Sequence, residues 1–209
     1  MISDSYQTLC REVECSFTEK KSEFISYAKP IETEEQAKEF LESVRRLHPD
    51  ATHHVYAYIN RQGNVSRFSD DNEPQGTAGL PVFDVLQKEG LLGVCLVVVR
   101  YFGGTLLGAG GLVRAYGRAA RDAVEAAGVC RYEKMLQMQL RVSYELSGKL
   151  GRELEKLGLT VQERLFDQQV TVRFLCALTD RERVESALMD ACGGRCALEQ
   201  IGTCYAQGG

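Results

Sequence analysis

The sequence has no export signal, no apolar run of membrane length, no excess of cationic charge and too few cysteines for a disulfide scaffold. Its first residues, MISDSYQTLCREVE, hold no basic segment leading into an apolar one, so no secretory leader is read there. The longest apolar run, residues 91–99, falls well short of the ~20 residues that a spanning helix needs, which excludes a helical membrane protein. A net charge of −4 argues against coating duplex DNA by bulk electrostatics, because that binding neutralises many phosphates with cations. Eight cysteines, in a chain without an export signal, read as reduced thiols and place the protein in the cytoplasm.

The catalytic signatures are missing too. No glycine-rich stretch ends in Gly-Lys-Ser/Thr as a phosphate-binding P-loop requires, and Gly108-Ala109-Gly110 reaches Val113 where a dinucleotide fingerprint wants a third glycine. No Gly-x-Ser-x-Gly elbow and no helical His-x-x-x-His pair occurs. Cys192 and Cys196, with Cys204 further on, loosely resemble metal-ligand spacing, but no second matched pair follows; Cys95, Cys130 and Cys176 read as small hydrophobes. No cofactor and no metal are therefore expected.

What the sequence does contain is concentrated in residues 94–121. Residues 94–99 form a β-branched apolar run, the pattern of a strand covered on both faces, and Arg100 is read as its end. Gly103, Gly104, Gly108, Gly110 and Gly111 then crowd into nine residues, where the backbone is free to take φ > 0 and approach another chain or a ligand closely. A helix follows. Val113, Tyr116, Ala120, Ala123, Val124 and Ala127 share one arc of it, and Arg114, Arg118 and Arg121 share another. Between Glu89 and Asp122 the chain carries four arginines and no acid, so an acidic protein has a locally basic segment. A helix start beside three guanidinium groups attracts phosphate or carboxylate.

Elsewhere the periodicities predict two domains, residues 1–132 and 136–206, joined by a linker at 130–135. In the first, residues 13–28 read as two strands around a turn at 18–22. Thr33 to Gln36 has capping-box spacing, ahead of a helix burying Ala37, Phe40, Leu41, Val44 and Leu47. Residues 52–59 read as a strand, and Pro81 lies near the start of a helix at 82–88. In the second domain the order is β-α-β-β-α-β, the ferredoxin-like arrangement, with Val184, Leu188 and Ala191 inward on its second helix. The fold class is α+β. Of the aromatics an RNA-recognition sheet stacks on bases, residues 170–178 offer only Phe174.

Between the two halves of the first domain lies an acidic loop. Asp70, Asp71 and Glu73 put three carboxylates in four residues, enough for a divalent cation if other oxygens converge, although the calcium-loop pattern is not matched. Gly76, Thr77 and Gly79 follow as a sparsely charged contact surface or a turn. His53 and His54 are adjacent in a strand and face opposite sides of the sheet; one of them is a candidate to line a cleft with the acidic loop.

Taken together, HPDATHHVYAY (48–58), FSDDNEPQGTAGLPV (68–82) and VVVRYFGGTLLGAGGLVRAYGRA (97–119) resemble the IMPACT/YigZ family. Residues 20–25, KKSEFI, are similar to the family's KKSRFI with Glu23 in place of arginine, and Asn72 stands where the acidic loop normally has glycine. The resemblance implies a βα domain of ribosomal-protein type followed by a ferredoxin-like domain, similar to the last two domains of elongation factor G. It also implies contact with RNA or the ribosome and a link to the regulation of translation. The kinase-pathway control of eukaryotic relatives, which depends largely on an additional partner-binding domain, is not carried over.

The reading is a non-catalytic accessory protein that binds RNA or the ribosome through phosphate contacts from Arg114, Arg118 and Arg121, with Arg100 and the glycine loop shaping the groove. One alternative is a metal-assisted enzyme acting on a small phosphorylated substrate with Asp70, Asp71, Glu73 and one of the two histidines. Another is a protein-docking module. No oligomeric state is legible.

Overall fold

The computed structural model describes residues 4–207 and divides into two compact units, Met1–Arg131 and Tyr132–Gly209. Residues 1–3, the start of the stretch read for a leader, lie outside the described residues, as do 208–209. The first unit runs β1 (Ser5–Leu9), β2 (Val13–Glu19), β3 (Ser22–Pro30), α1 (Glu34–Leu47), β4 (His53–Ile59), β5 (Ser66–Ser69), α2 (Gly79–Lys88), β6 (Val94–Tyr101) and α3 (Ala109–Ala127).

Strands β2 to β6 form an antiparallel sheet in the order β2-β3-β6-β4-β5, with β6 in the middle. Its unbroken apolar run is explained by burial on both faces. Leu96 and Val98 join Phe24, Ala28, Val55 and Ala57 against α2 and α3, while Cys95, Val97 and Val99 join Tyr27 against α1. Each fully buried valine or leucine contributes about 1.5–3 kcal/mol relative to exposure, so this strand is the anchor of the unit.

The ends of α1 follow the sequence. Thr33 Oγ1 accepts from the Gln36 amide at 3.3 Å, which satisfies one donor the helix leaves unpaired, and Gln36 Oε1 accepts from the Glu32 amide just ahead of the cap at 2.6 Å. Ala37, Phe40, Leu41 and Val44 are buried, but Leu47, expected on the same face, is 64% exposed in the last turn, beyond the final buried residue. Val113 likewise stands outside the buried face of α3, one turn ahead of Tyr116.

Other boundaries move for physical reasons. Strand β6 runs through Tyr101, so Arg100 lies within the strand and not at its end. Helix α2 starts at Gly79, and Pro81 falls in its first turn, where a missing amide hydrogen costs no helical bond. Residues 130–135, read as a linker, belong to strand β7 (Val129–Val142), with residues 132–142 paired to the last strand of the chain. The cysteines are not all free thiols: Cys10 and Cys130 form a disulfide across 120 positions within the first unit. The Cys10 amide donates to Gly128 O at 3.0 Å, which brings the end of β1 to the end of α3.

The second unit continues through α4 (Tyr144–Lys156), β8 (Thr160–Phe166), β9 (Val170–Ala177), α5 (Arg181–Cys192) and β10 (Cys196–Gln207). Its antiparallel strands lie in the order β10-β7-β9-β8, the ferredoxin-like arrangement. Leu136, Met138, Leu140, Val172 and Phe174 fill the core with Leu150, Leu154, Val184 and Leu188; Cys192 is buried there, while Ala191 is only half-buried. Phe174 is thus fully buried and not offered to a base. On the other sheet face Arg173 pairs with Glu163 at 2.7 Å and donates to Gln139 at 2.9 Å, and Arg141 pairs with Glu199 at 3.1 Å, so its charges satisfy one another. Among the described residues, no helix is long and apolar enough to cross a membrane.

Candidate functional site

One cross-strand row organises the site. Phe17 on β2 stands opposite Phe24 on β3, Phe24 opposite Arg100 on β6, and Arg100 opposite His53 on β4. The row begins at the surface. Arg118 of α3 lies 4.2 Å from the centroid of Phe17, Phe17 and Phe24 stack at 5.1 Å, and the Arg100 guanidinium sits 5.5 Å from Phe24. A guanidinium over an aromatic face is attracted by the ring quadrupole, so the two stacked rings lie between two arginines.

The inner arginine is committed to the core. Arg100 is 4% exposed; its Nη1 donates to Glu73 Oε1 at 2.6 Å and its Nη2 to Ser22 Oγ at 3.2 Å. Tyr116 of α3 donates to the same Glu73 oxygen at 2.7 Å. Burial, and then the Glu73 carboxylate, push the Tyr116 hydroxyl far above its ordinary range, so it stays protonated and keeps donating. The Arg100 Nε is buried without a hydrogen-bond partner, beside the rings of Phe24 and Phe102. Arg100 therefore ties sheet, loop and helix together; it does not stand on the surface with the other arginines.

The acidic loop is a folded plug. Asp70 accepts from the amides of Gly76, Ala78 and Gly79 at 2.8, 3.0 and 2.8 Å, closing the loop and capping the start of α2. Asp71 Oδ2 accepts from the His54 amide at 2.5 Å, and its carbonyl accepts from His53 Nδ1 at 2.8 Å. His53 Nε2 is 3.6 Å from Glu73, whereas His54 Nε2 donates to His48 O at 2.9 Å, so the two rings do take opposite sides. Asn72 keeps a left-handed φ of 67°, the conformation that glycine would supply there. Thr77 Oγ1 donates to Pro74 O at 2.6 Å, and a Cβ on Gly79 would meet the Ser69 backbone at 2.6 Å. The three carboxylates take three different sets of partners. Among the described residues no group of three His, Cys, Asp or Glu side chains could hold a metal.

Arg114, Arg118 and Arg121 are exposed along α3. No side-chain hydrogen bond caps the first turn of α3, which begins after Gly108 at a φ of 73°. Gly104 also has a positive φ, 78°, and Gly103 lies so close to the Lys21 carbonyl that a Cβ would overlap it. Gly110 has open space around it and Gly111 only the Leu107 side chain at 3.0 Å, so the glycines serve two purposes: 103 and 104 shape the loop, 110 and 111 keep the helix start bare.

Close to these arginines is a pair that the sequence reading quoted in the KKSEFI segment but did not assign to the site. Lys20 and Lys21 form the two-residue turn between β2 and β3 with φ values of 46° and 67°, a conformation that hairpins ordinarily fill with Asn-Gly. Holding non-glycine residues there costs of order 1 kcal/mol each. Lys20, Arg114 and Arg118 surround a cavity of about 220 Å³, lined also by Phe17, Glu19, Leu107, Gly111 and Ala115. Arg118 is fixed from both sides, by Phe17 and by Asp122 at 3.2 Å, so one cation of the cavity is held in place without a ligand. The paired lysines before a strand were the available signal; their backbone conformation was not readable.

Comparison with known proteins places these features in context. Residues 20–124 match the Impact N-terminal domain, and residues 140–195 match a domain of unknown function, DUF1949. The chain is 37% identical to the IMPACT family member YvyE of Bacillus subtilis over 79% of its own length and 77% of that protein. It is 43% identical to the IMPACT family member YigZ of Escherichia coli over 62% of its length and 65% of that protein. A crystal structure described as a hypothetical protein superposes with a TM-score of 0.61 at 32% identity, covering 96% of this chain and 98% of the other.

Proposed function

The chain belongs to the IMPACT family, and from that premise we propose that it is a non-catalytic cytoplasmic accessory protein that binds RNA or the ribosome and so bears on translation. The observation that carries this reading is the basic surface of Lys20, Lys21, Arg114, Arg118 and Arg121 on a protein whose net charge is −4. Arg118 is preorganised by Phe17 and Asp122, Arg114 stands exposed near a helix start that no side chain caps, and Arg121 is exposed about three turns along the same helix. Such a surface suits phosphate groups and carries no base-reading pattern, so recognition is by backbone charge and shape.

The test is RNA and ribosome association at low salt, by filter binding and by co-sedimentation. Reversing Arg114 and Arg118 to glutamate abolishes association in this reading, and unchanged association refutes the site. The enzymatic alternative is weakened by the acidic loop, whose carboxylates are already bonded to backbone amides, Arg100 and Tyr116. Protein docking has one observation in its favour: Phe102, Leu106 and Val113 are exposed apolar residues beside the cations, Leu106 at 82%. Replacing Leu106 with serine and finding ribosome association lost, with naked RNA binding unchanged, would establish it.

A further inference from the structure

We infer that the cavity between the Lys20 turn and α3 is a phosphomonoester site that takes the phosphorylated sugar at the end of an RNA strand. The inference rests on the RNA reading of the surrounding surface and adds to it which part of the strand is held.

Three observations lead to an end and not to an interior phosphate. Charge comes first. Lys20, Arg114 and Arg118 converge on the cavity from two elements of the fold. A phosphomonoester carries about −1.5 to −2 near neutral pH and three acceptor oxygens, against a single charge on an interior phosphodiester, so it offers one acceptor to each of Lys20, Arg114 and Arg118, the last of which also pairs with Asp122.

Shape is the second. The hairpin bounds the cavity on one side and α3 on the other, with Phe17, Leu107 and Ala115 presenting apolar surface between them. An interior phosphate has chain leaving in two directions, whereas a terminal one leaves in one. A volume of about 220 Å³ is also below the roughly 300–1,000 Å³ of pockets that enclose drug-sized ligands, so a sugar phosphate fits with the base left outside.

The third is Glu19, the single acid in the lining. A carboxylate there opposes a bare anion but accepts hydrogen bonds from the hydroxyls of a ribose. The same chemistry is presented by a free sugar phosphate, and the experiment separates the two sources.

Binding of a labelled single-stranded oligoribonucleotide is measured by fluorescence anisotropy with its phosphate on the 5′ end, on the 3′ end or on neither, with ribose 5-phosphate and inorganic phosphate as competitors. One phosphorylated end is expected to bind about tenfold more tightly than the unphosphorylated strand, the scale of one charge-assisted hydrogen bond. Lys20→Asn and Arg114→Gln should each bring that ratio toward one. Asparagine tolerates the left-handed backbone better than lysine, so Lys20→Asn removes the charge without costing the turn, and an unchanged melting temperature checks this.

Equal affinity for all three strands, with binding still lost on reversing Arg114 and Arg118, overturns the terminal-phosphate site and leaves the RNA surface standing. Binding of ribose 5-phosphate without any RNA binding overturns the RNA reading and assigns the cavity to free sugar phosphates. No binding by either removes both.

Discussion

Arg100 and Glu73, 27 positions apart, meet at 2.6 Å with both side chains almost wholly buried. One residue is fixed in the central strand and the other arrives on a loop, so the pair decides where that loop lies. Tyr116 completes the node from α3 by donating to the same carboxylate oxygen at 2.7 Å.

Removing one partner leaves the other as an uncompensated buried charge. Glu73→Ala should therefore lower stability by about 3–5 kcal/mol in urea denaturation. Tyr116→Phe removes only a hydrogen bond to a charged group, so it should cost about 1.5–3 kcal/mol. In the double variant the two losses should not add, because both act through one carboxylate.

The same tyrosine predicts the alkaline behaviour. Burial, followed by the Glu73 carboxylate, raises the Tyr116 hydroxyl above its ordinary value of 10.0. A group raised in the folded state contributes stability in full below its unfolded pKa. That contribution declines as pH climbs above 10 toward the folded value. The stability gap between the wild type and Tyr116→Phe should hold from pH 7 to 9 and narrow above pH 10. A gap that widened there would contradict the assignment. Tyr27, raised to about 12 by burial and then by Glu14, should ionise late in an ultraviolet difference titration.

Two glycines of the loop should respond in opposite ways. Gly103→Ala drives a methyl into the backbone of Lys21, which has no flexible end to move aside, so the hairpin or the loop must shift and RNA binding should fall with stability. Gly110 lies in the first turn of α3 with nothing within 4 Å, and its φ is not in the positive range. Gly110→Ala should be neutral or stabilising by up to about 1 kcal/mol, measured by thermal melting. If its RNA binding falls while the melting temperature rises, the bare helix start is itself part of the binding surface.

Much of the scaffold was legible because burial writes itself into periodicity. The unbroken run at 94–99 announced a strand covered on both faces, and the alternation of Leu136, Met138 and Leu140 a strand covered on one. What stayed hidden depends on partners distant in sequence. β5 carries a single large apolar residue, Phe68, in four, and exists because it pairs with β4. Residues 130–135 read as a linker, yet β10 supplies hydrogen-bond partners from residue 132 onward. At the site, the three arginines of α3 were visible from helical spacing. The fourth, Arg100, looked equivalent only because its partner Glu73 is remote in the chain.

The cysteines offer a final check, since their reactivity follows from burial and pairing and not from spacing. With Cys10 and Cys130 joined, six thiols are free: Cys15, Cys95, Cys176, Cys192, Cys196 and Cys204. Only the thiolate attacks an aromatic disulfide reagent, so a raised pKa and a closed environment both slow the reaction. Cys95 is fully buried, and burial alone lifts its thiol from 9.0 to about 12. Burial, and then its neighbour Cys196, lifts Cys192 to about 11. At pH 8 the folded protein should therefore release reagent rapidly at Cys196 and Cys204 and more slowly at Cys15, with Cys95, Cys176 and Cys192 reacting only on unfolding. Peptide mapping without reductant should recover Cys10 linked to Cys130. Eight reactive thiols in denaturant without reductant would show that this bridge is not formed in solution.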